Sequence, residues 1–433
     1  MDQKVMNRWL PVLGAILIQL CLGAIYAWSV FTKTLTDPAG AFKFTAAQTQ
    51  IIFSVGLGMF ALLMPIAGRL QAKPNIGPRK VALAGGLLLG LGYVLAGLFG
   101  TSFFTLVLFI GVLGGAGIGL AYVCPLGVGV RWFPDKKGLI TGLAVAGFGF
   151  GALLWVQLAD AWGHLIQSMG VPKVFLIYGI AFAVVVAVGS MFMVYPPDGW
   201  KPAGWDPKAP TAGGKPAAAP VEDMVPGEVL RTPRFYLLWT SYVFCALAGL
   251  MVIGIAKLFG ADALKESGAY TDGAAAAAAA STSYAIFFAL ANGLGRIAWG
   301  SVADFLGWKK SIVIMALTQG VAMVCLYSLG GSYAMLSVFF AVVGANFGGT
   351  LALFPVATAS NFGAKNLGLN YGWMFTAYGV GGIVGPIVAG VFKDMGKGKG
   401  LSAWMPPFML AAVLCLLAAG IILAVKPPKK AAA

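Results

Sequence analysis

Twelve apolar runs, each about as long as one bilayer crossing, set the solvent in which this chain can fold. They lie near 9–31, 49–67, 81–99, 103–130, 139–161, 174–195, 235–259, 274–299, 311–329, 333–358, 367–392 and 403–425. One crossing needs about 20 mostly apolar residues. Of the 433 residues, 59% are apolar and 10% are charged, against about 25% charged in an ordinary soluble domain. So much apolar surface cannot be hidden from water, which excludes a soluble enzyme and a disordered chain. Continuous runs also exclude a membrane β-barrel, whose strands alternate apolar and polar residues. The eighth run opens on seven alanines at 274–280, good helix formers but weakly hydrophobic.

The net charge of +15 does not point to nucleic acid. The basic residues sit in the short gaps between apolar runs and form no basic face with aromatics. With both termini in the cytoplasm, 20 Lys and Arg fall on the inner side and 8 on the outer side. That asymmetry fixes the expected orientation and needs an even number of spans. The Pro-, Gly- and Ala-rich stretch 196–234 reads as a cytoplasmic linker between an N-terminal unit, 1–195, and a C-terminal unit, 235–433, with a short tail. A partly amphipathic piece near 221–230 is a candidate to lie on the inner surface. The N-terminus reads as a retained first span, because no Ala-x-Ala cleavage site follows it. Five cysteines lie singly inside apolar runs and His164 is the lone histidine, so neither a disulfide nor a metal centre is expected. No cofactor and no nucleophile–base pair is visible, and the chain is not expected to be an enzyme.

The halves repeat each other. Gly68-Arg69-Leu70 followed by Gly77-Pro78-Arg79-Lys80 joins runs two and three. Gly300-Ser301-Val302-Ala303-Asp304-Phe305-Leu306-Gly307-Trp308-Lys309-Lys310 joins runs eight and nine. Glycines permit tight reversals and close helix approach, and the acid can bond a helix end or a basic neighbour. Pro125 before Arg131-Trp132-Phe133 is echoed by Pro355 before Ser360-Asn361-Phe362. Two six-span halves with paired loop motifs resemble the major facilitator superfamily. The resemblance implies an all-α membrane fold, twelve transmembrane helices in two bundles around a central cavity. It also implies gating roles for Gly300, Asp304, Gly307, Lys309, Arg131 and Asp135. The first loop copy has Ala72 and Lys73 where an acid is expected, so its latch should be weaker or built differently.

The run from Arg131-Trp132-Phe133-Pro134-Asp135-Lys136-Lys137 through Gly147 is similar to the helix-five signature of monocarboxylate transporters and oxalate/formate antiporters. Gly23-Ala24-Ile25-Tyr26-Ala27-Trp28-Ser29-Val30-Phe31 and Gly227-Glu228-Val229-Leu230-Arg231-Thr232-Pro233-Arg234-Phe235 resemble the bacterial members. Arg296 is the basic residue set inside a span rather than in a gap. Its planar fork suits one carboxylate, or it snorkels to the nearby interface. The resemblance maps the family's substrate arginine onto it. Asn292, one turn earlier, stands where eukaryotic relatives have a proton-coupling aspartate. Their helix-one lysine falls near Val30, and Tyr378 stands at the second cation of oxalate antiporters. A dianion would leave one charge unpaired, which favours a monoanion. Tyr122 and Tyr26 fall on family contact positions, and the helix-ten aromatics fall on Phe347 and Leu351. Each of these aromatics can equally be ordinary packing. Asn346, Asn370 and Tyr371 either line the cavity or bond neighbouring helices. Asp160 and His164 form either a proton relay or an exposed interfacial pair.

The expected function is therefore secondary active transport of small monocarboxylates of the lactate or pyruvate kind, proton-coupled, by alternating access in the cell membrane. The alternative is an organic-anion antiporter of the oxalate/formate type. The expected substrate site is Arg296, Asn292, Tyr122, Tyr26, Phe347 and Tyr378. The expected partners are one monocarboxylate, protons and the lipid bilayer, with the protein as a monomer.

Overall fold

A bilayer offers no hydrogen bonds to the backbone, so every crossing segment must bond internally, and long apolar runs with few charges do so as helices. The computed structural model of the protein describes residues 6–159, 162–205, 222–395 and 399–426. Twelve helices among them are long and apolar enough to span a membrane. We number them α1 (Trp9–Thr32), α2 (Ala46–Ala72), α3 (Gly77–Phe99), α4 (Phe103–Trp132), α5 (Lys137–Ala159) and α6 (Leu165–Ser190) in the first half. The second half holds α7 (Pro233–Glu266), α8 (Gly273–Leu306), α9 (Trp308–Leu329), α10 (Tyr333–Phe362), α11 (Leu367–Met395) and α12 (Gly400–Ala424).

Short polar side chains start several helices by accepting the free N–H groups of the first turn. Thr45 accepts from Gln48 at the start of α2, Ser332 from Met335 at α10, and Asp272 from Ala274 and Ala275 at α8. The alanine run at 274–280 is helical throughout, with Ala276 and Ala280 buried. The outward faces carry exposed Leu62, Leu98, Val321 and Leu423, as expected where lipid rather than water surrounds the bundle.

An even number of helices brings the start of α1 and the end of α12 to one face of the bundle, called here the terminal face. Within the halves α3 packs on α6 and α9 on α12; across them α5 packs on α8 and α2 on α11. Glycine makes the two crossings close. A Cβ at Gly138 would run into the Gly300 carbonyl, and one at Gly68 into the Gly368 carbonyl. Both contacts lie at the terminal face, so the halves are shut against each other there. The helices that approach the middle of the molecule are irregular. Helix α1 passes through a 3-10 segment at Gly23–Ala27, and α4 and α8 each contain a π-helical stretch, Val107–Gly114 and Tyr284–Phe288. Such local changes of winding are frequent at functional sites.

Candidate functional site

Arg296 lies on α8, ten residues from its end at Leu306. At 1.5 Å per residue that is about 15 Å, roughly half the hydrocarbon thickness. The side chain does not reach back to the interface; it is 0% exposed. It crosses to α5 instead. Nη1 donates to the Val145 carbonyl at 2.8 Å, while Nε and Nη2 donate to Asn292 Oδ1 at 3.1 and 2.9 Å. Asn292 sits one helical turn away and fixes the fork. A guanidinium has five N–H bonds, and these contacts use three, leaving one on each terminal nitrogen. Among the described residues the one ion pair is Arg8–Asp135, so no described carboxylate neutralises Arg296.

Aromatic rings from both halves surround it. The Arg296 guanidinium carbon lies 5.6 Å from the centre of the Phe148 ring. That ring meets Tyr26 edge-on at 5.2 Å and Tyr122 edge-on at 5.3 Å. Tyr122 is fully buried, and its hydroxyl has no hydrogen-bond partner among the described residues. Tyr26, in the 3-10 segment of α1, meets the hydroxyl of Tyr378 on α11 and so joins the halves. Phe347 lies 6.4 Å from Tyr378, while Leu351 is simply buried. All six residues expected at the site are thus linked in one cluster between the halves.

Several members were not foreseen. Phe148 directly follows the α5 signature run and supplies the face beneath Arg296. Phe60 and Phe375 pack on each other at 4.7 Å and both touch Tyr122. Tyr371, Phe375 and Tyr378 follow an i, i+4, i+7 pattern, which places three rings on one face of α11; that spacing was visible in the sequence. Tyr242 of α7 stacks on Phe354 at 4.1 Å, and its hydroxyl shares a 3.2 Å hydrogen bond with that of Tyr371. The hydroxyls of Tyr122, Tyr26, Tyr242 and Tyr371 all lie within electrostatic range of Arg296.

Other polar candidates go elsewhere. Asn346 accepts from Trp299 Nε1 at 3.1 Å and donates to Thr318 at 3.2 Å, tying α10 to α8 and α9. Asn370 donates to the Met224 carbonyl at 3.0 Å. His164 has a left-handed backbone and precedes α6, and Asp160 lies outside the described residues. Lys257, counted above with the outer side, falls inside the run 235–259, so Arg296 is not the sole basic residue within an apolar run; α7 continues unbroken past it to Glu266.

At the terminal face Asp304 accepts from the backbone N–H groups of Gly138 and Leu139, each at 2.8 Å. A carboxylate at the first turn of α5 also meets the positive end of that helix dipole. Gly307 has φ +83° and makes the turn from α8 to α9. Arg131 donates to the Lys365 carbonyl, and its guanidinium lies 3.8 Å from the Tyr195 ring centre, so it too crosses between the halves. Lys309 and Asp135 do not cross. Lys309 donates to the Leu423 and Val425 carbonyls at the end of α12, and Asp135 pairs with Arg8 at 3.1 Å within the first half.

The first loop copy, which lacks the acid, is built differently. Gln71 reaches Gly368 at the start of α11. The linker's end supplies a carboxylate nearby: Asp223 accepts from the Lys365 N–H at 2.9 Å, and Met224 N donates to the Phe362 carbonyl at 3.1 Å. The piece near 221–230 is therefore strapped to the α10–α11 turn at Asp223 and Met224 and then forms one helical turn, Pro226–Val229.

Comparison with known proteins agrees with this architecture. The Major Facilitator Superfamily model matches residues 15–287 and 273–433. The chain is 31% identical over 380 residues to the uncharacterized MFS-type transporter YhjX of Escherichia coli (strain K12), covering 87% of this chain and 86% of that protein. It is 24% identical over 416 residues to the oxalate:formate antiporter of Oxalobacter formigenes, covering 95% and 90%. It is 26% identical over 458 residues to the apicoplast pyruvate carrier 1 of Toxoplasma gondii, covering 85% and 81%. The crystal structure of the transporter FucP in the outward conformation shares the fold, with a TM-score of 0.64, 13% identity and coverage of 97% of this chain and 100% of that one. With its twelve helices, its paired halves and a family match spanning nearly its whole length, the chain is a multi-pass membrane protein of the major facilitator superfamily.

Proposed function

We propose that the protein carries small monocarboxylates of the lactate or pyruvate kind across the cell membrane by alternating access, with a proton accompanying each substrate. One observation carries the reading: a fully buried guanidinium between the halves has no described carboxylate partner, keeps donors free, and stands near a phenol whose hydroxyl has no partner among the described residues. Removing an ion from water costs several kcal/mol, and one carboxylate offsets that cost. Its two oxygens accept from the Arg296 fork while the Tyr122 hydroxyl donates a further bond. The names of two relatives, an oxalate:formate antiporter and a pyruvate carrier, both denote cargo that is a small carboxylic acid. Tyr378, in the place of a second cation, favours one negative charge over two.

In this reading the first and last six helices rock about the site, with both termini in the cytoplasm and the protein working as a monomer. Substrate neutralises Arg296, which lowers the cost of closing the halves over it. Purified protein in liposomes tests this. Acidifying the outer solution should drive accumulation of radiolabelled lactate, and Arg296→Gln should abolish it. Uptake that ignores the pH gradient and requires oxalate or formate inside would instead identify an exchanger.

A further inference from the structure

Lys257 is exposed on α7, two helical turns beyond Leu250 and on the same face of the helix. Leu250 and Leu57 of α2 both reach Gly382 of α11, so this face of α7 runs beside the seam between the halves. The Lys257 ammonium lies 5.3 Å from the ring centre of Tyr284, and Tyr284 stacks on Phe288 at 4.6 Å. These two rings bound the π-helical stretch of α8 that leads to Asn292 and Arg296. No described carboxylate pairs with Lys257. Twelve residues separate Tyr284 from Arg296, about 18 Å along the helix. No small carboxylic acid spans that gap, so the two cations meet a substrate in turn and do not clamp it together. Lys257 lies in the part of α7 that is far from the terminal contacts.

We propose that Lys257 and Tyr284 form an outer capture site for the carboxylate of the substrate, from which the anion passes inward to Arg296. The proposal rests on Arg296 as the substrate cation. The tyrosine face holds the ammonium toward the path and shields one side of it from water. An anion drawn to this charge is concentrated at the mouth before it reaches the deeper guanidinium.

The test measures initial lactate uptake by the full-length protein in liposomes, separately from each face and at low and high salt. Lys257→Gln should lower kcat/KM from the outer face about tenfold at low salt and remove most of its salt dependence. Lys257→Arg should keep the wild-type salt dependence, which separates loss of charge from misfolding. Lactate-dependent thermal stabilisation of the detergent-solubilised protein should persist in Lys257→Gln and vanish in Arg296→Gln. An unchanged kcat/KM and salt slope in Lys257→Gln overturns the capture site. Retained stabilisation in Arg296→Gln overturns the reading of the inner site on which it rests.

Discussion

At the scale of single residues the candidate site rests on one costly group. Arg296 is held by an amide and a backbone carbonyl, which fix its direction without cancelling its charge. Replacing it with Gln keeps hydrogen-bonding capacity but loses the charge and the fork. Calorimetric titration with lactate should show affinity at least about 100-fold weaker, the loss typical of removing one partner from a buried charged pair. Tyr122→Phe removes a hydroxyl with no described partner, so stability should stay within about 0.5 kcal/mol. Lactate affinity should fall about tenfold, the value of one hydrogen bond to a charged group. A large stability loss with unchanged affinity would assign Tyr122 to packing alone. The sequence already marked Arg296, because a cation inside an apolar run is expensive. It did not reveal whether the side chain turned to the site or to the headgroups. That choice depends on Val145 and Phe148, which come from another helix and carry no polar side chain of their own.

At the scale of elements the terminal-face latch is a helix cap shared between halves. Asp304 on α8 closes the first turn of α5, beside the glycine crossing of Gly138 and Gly300. Asp304→Asn keeps an acceptor but removes the charge, costing about 1 kcal/mol of cap energy. Spin labels on the terminal ends of α5 and α8 should then report a larger share of separated distances, while a shift toward the closed state would contradict the latch. Gly300→Val should place side-chain carbon against the Gly138 carbonyl, so the halves cannot meet there. The variant should reach the membrane yet lose accumulation of lactate, and normal uptake would show that the crossing is dispensable. The loop glycines and Asp304 were legible from their spacing. The replacement for the missing acid was not, because Asp223 lies in the linker, 142 residues from the Lys365 N–H that it accepts. Contacts between segments so distant in sequence leave no periodic trace.

At the scale of the whole molecule the twelve crossings and their paired halves were readable from apolar run length and loop repetition, since the bilayer imposes both. The aromatic cluster was only partly readable: its rings come from α1, α2, α4, α5, α7, α10 and α11, and each alone is indistinguishable from packing. A monoanion moving alone would respond to membrane potential by about 2.3 kcal/mol per 100 mV, close to fiftyfold in accumulation. Proton-coupled transport carries no net charge, so a potassium diffusion potential imposed on the liposomes should leave lactate accumulation unchanged; a fiftyfold response would rule the proton out. The central claim, one carboxylate neutralising one buried guanidinium, is tested most directly by calorimetric titration of the intact solubilised protein with lactate and with its uncharged amide. The expected result is one lactate per chain, no binding of the amide, and no binding of either ligand to Arg296→Gln. Equal binding of lactate and amide, or undiminished lactate binding by Arg296→Gln, would contradict it.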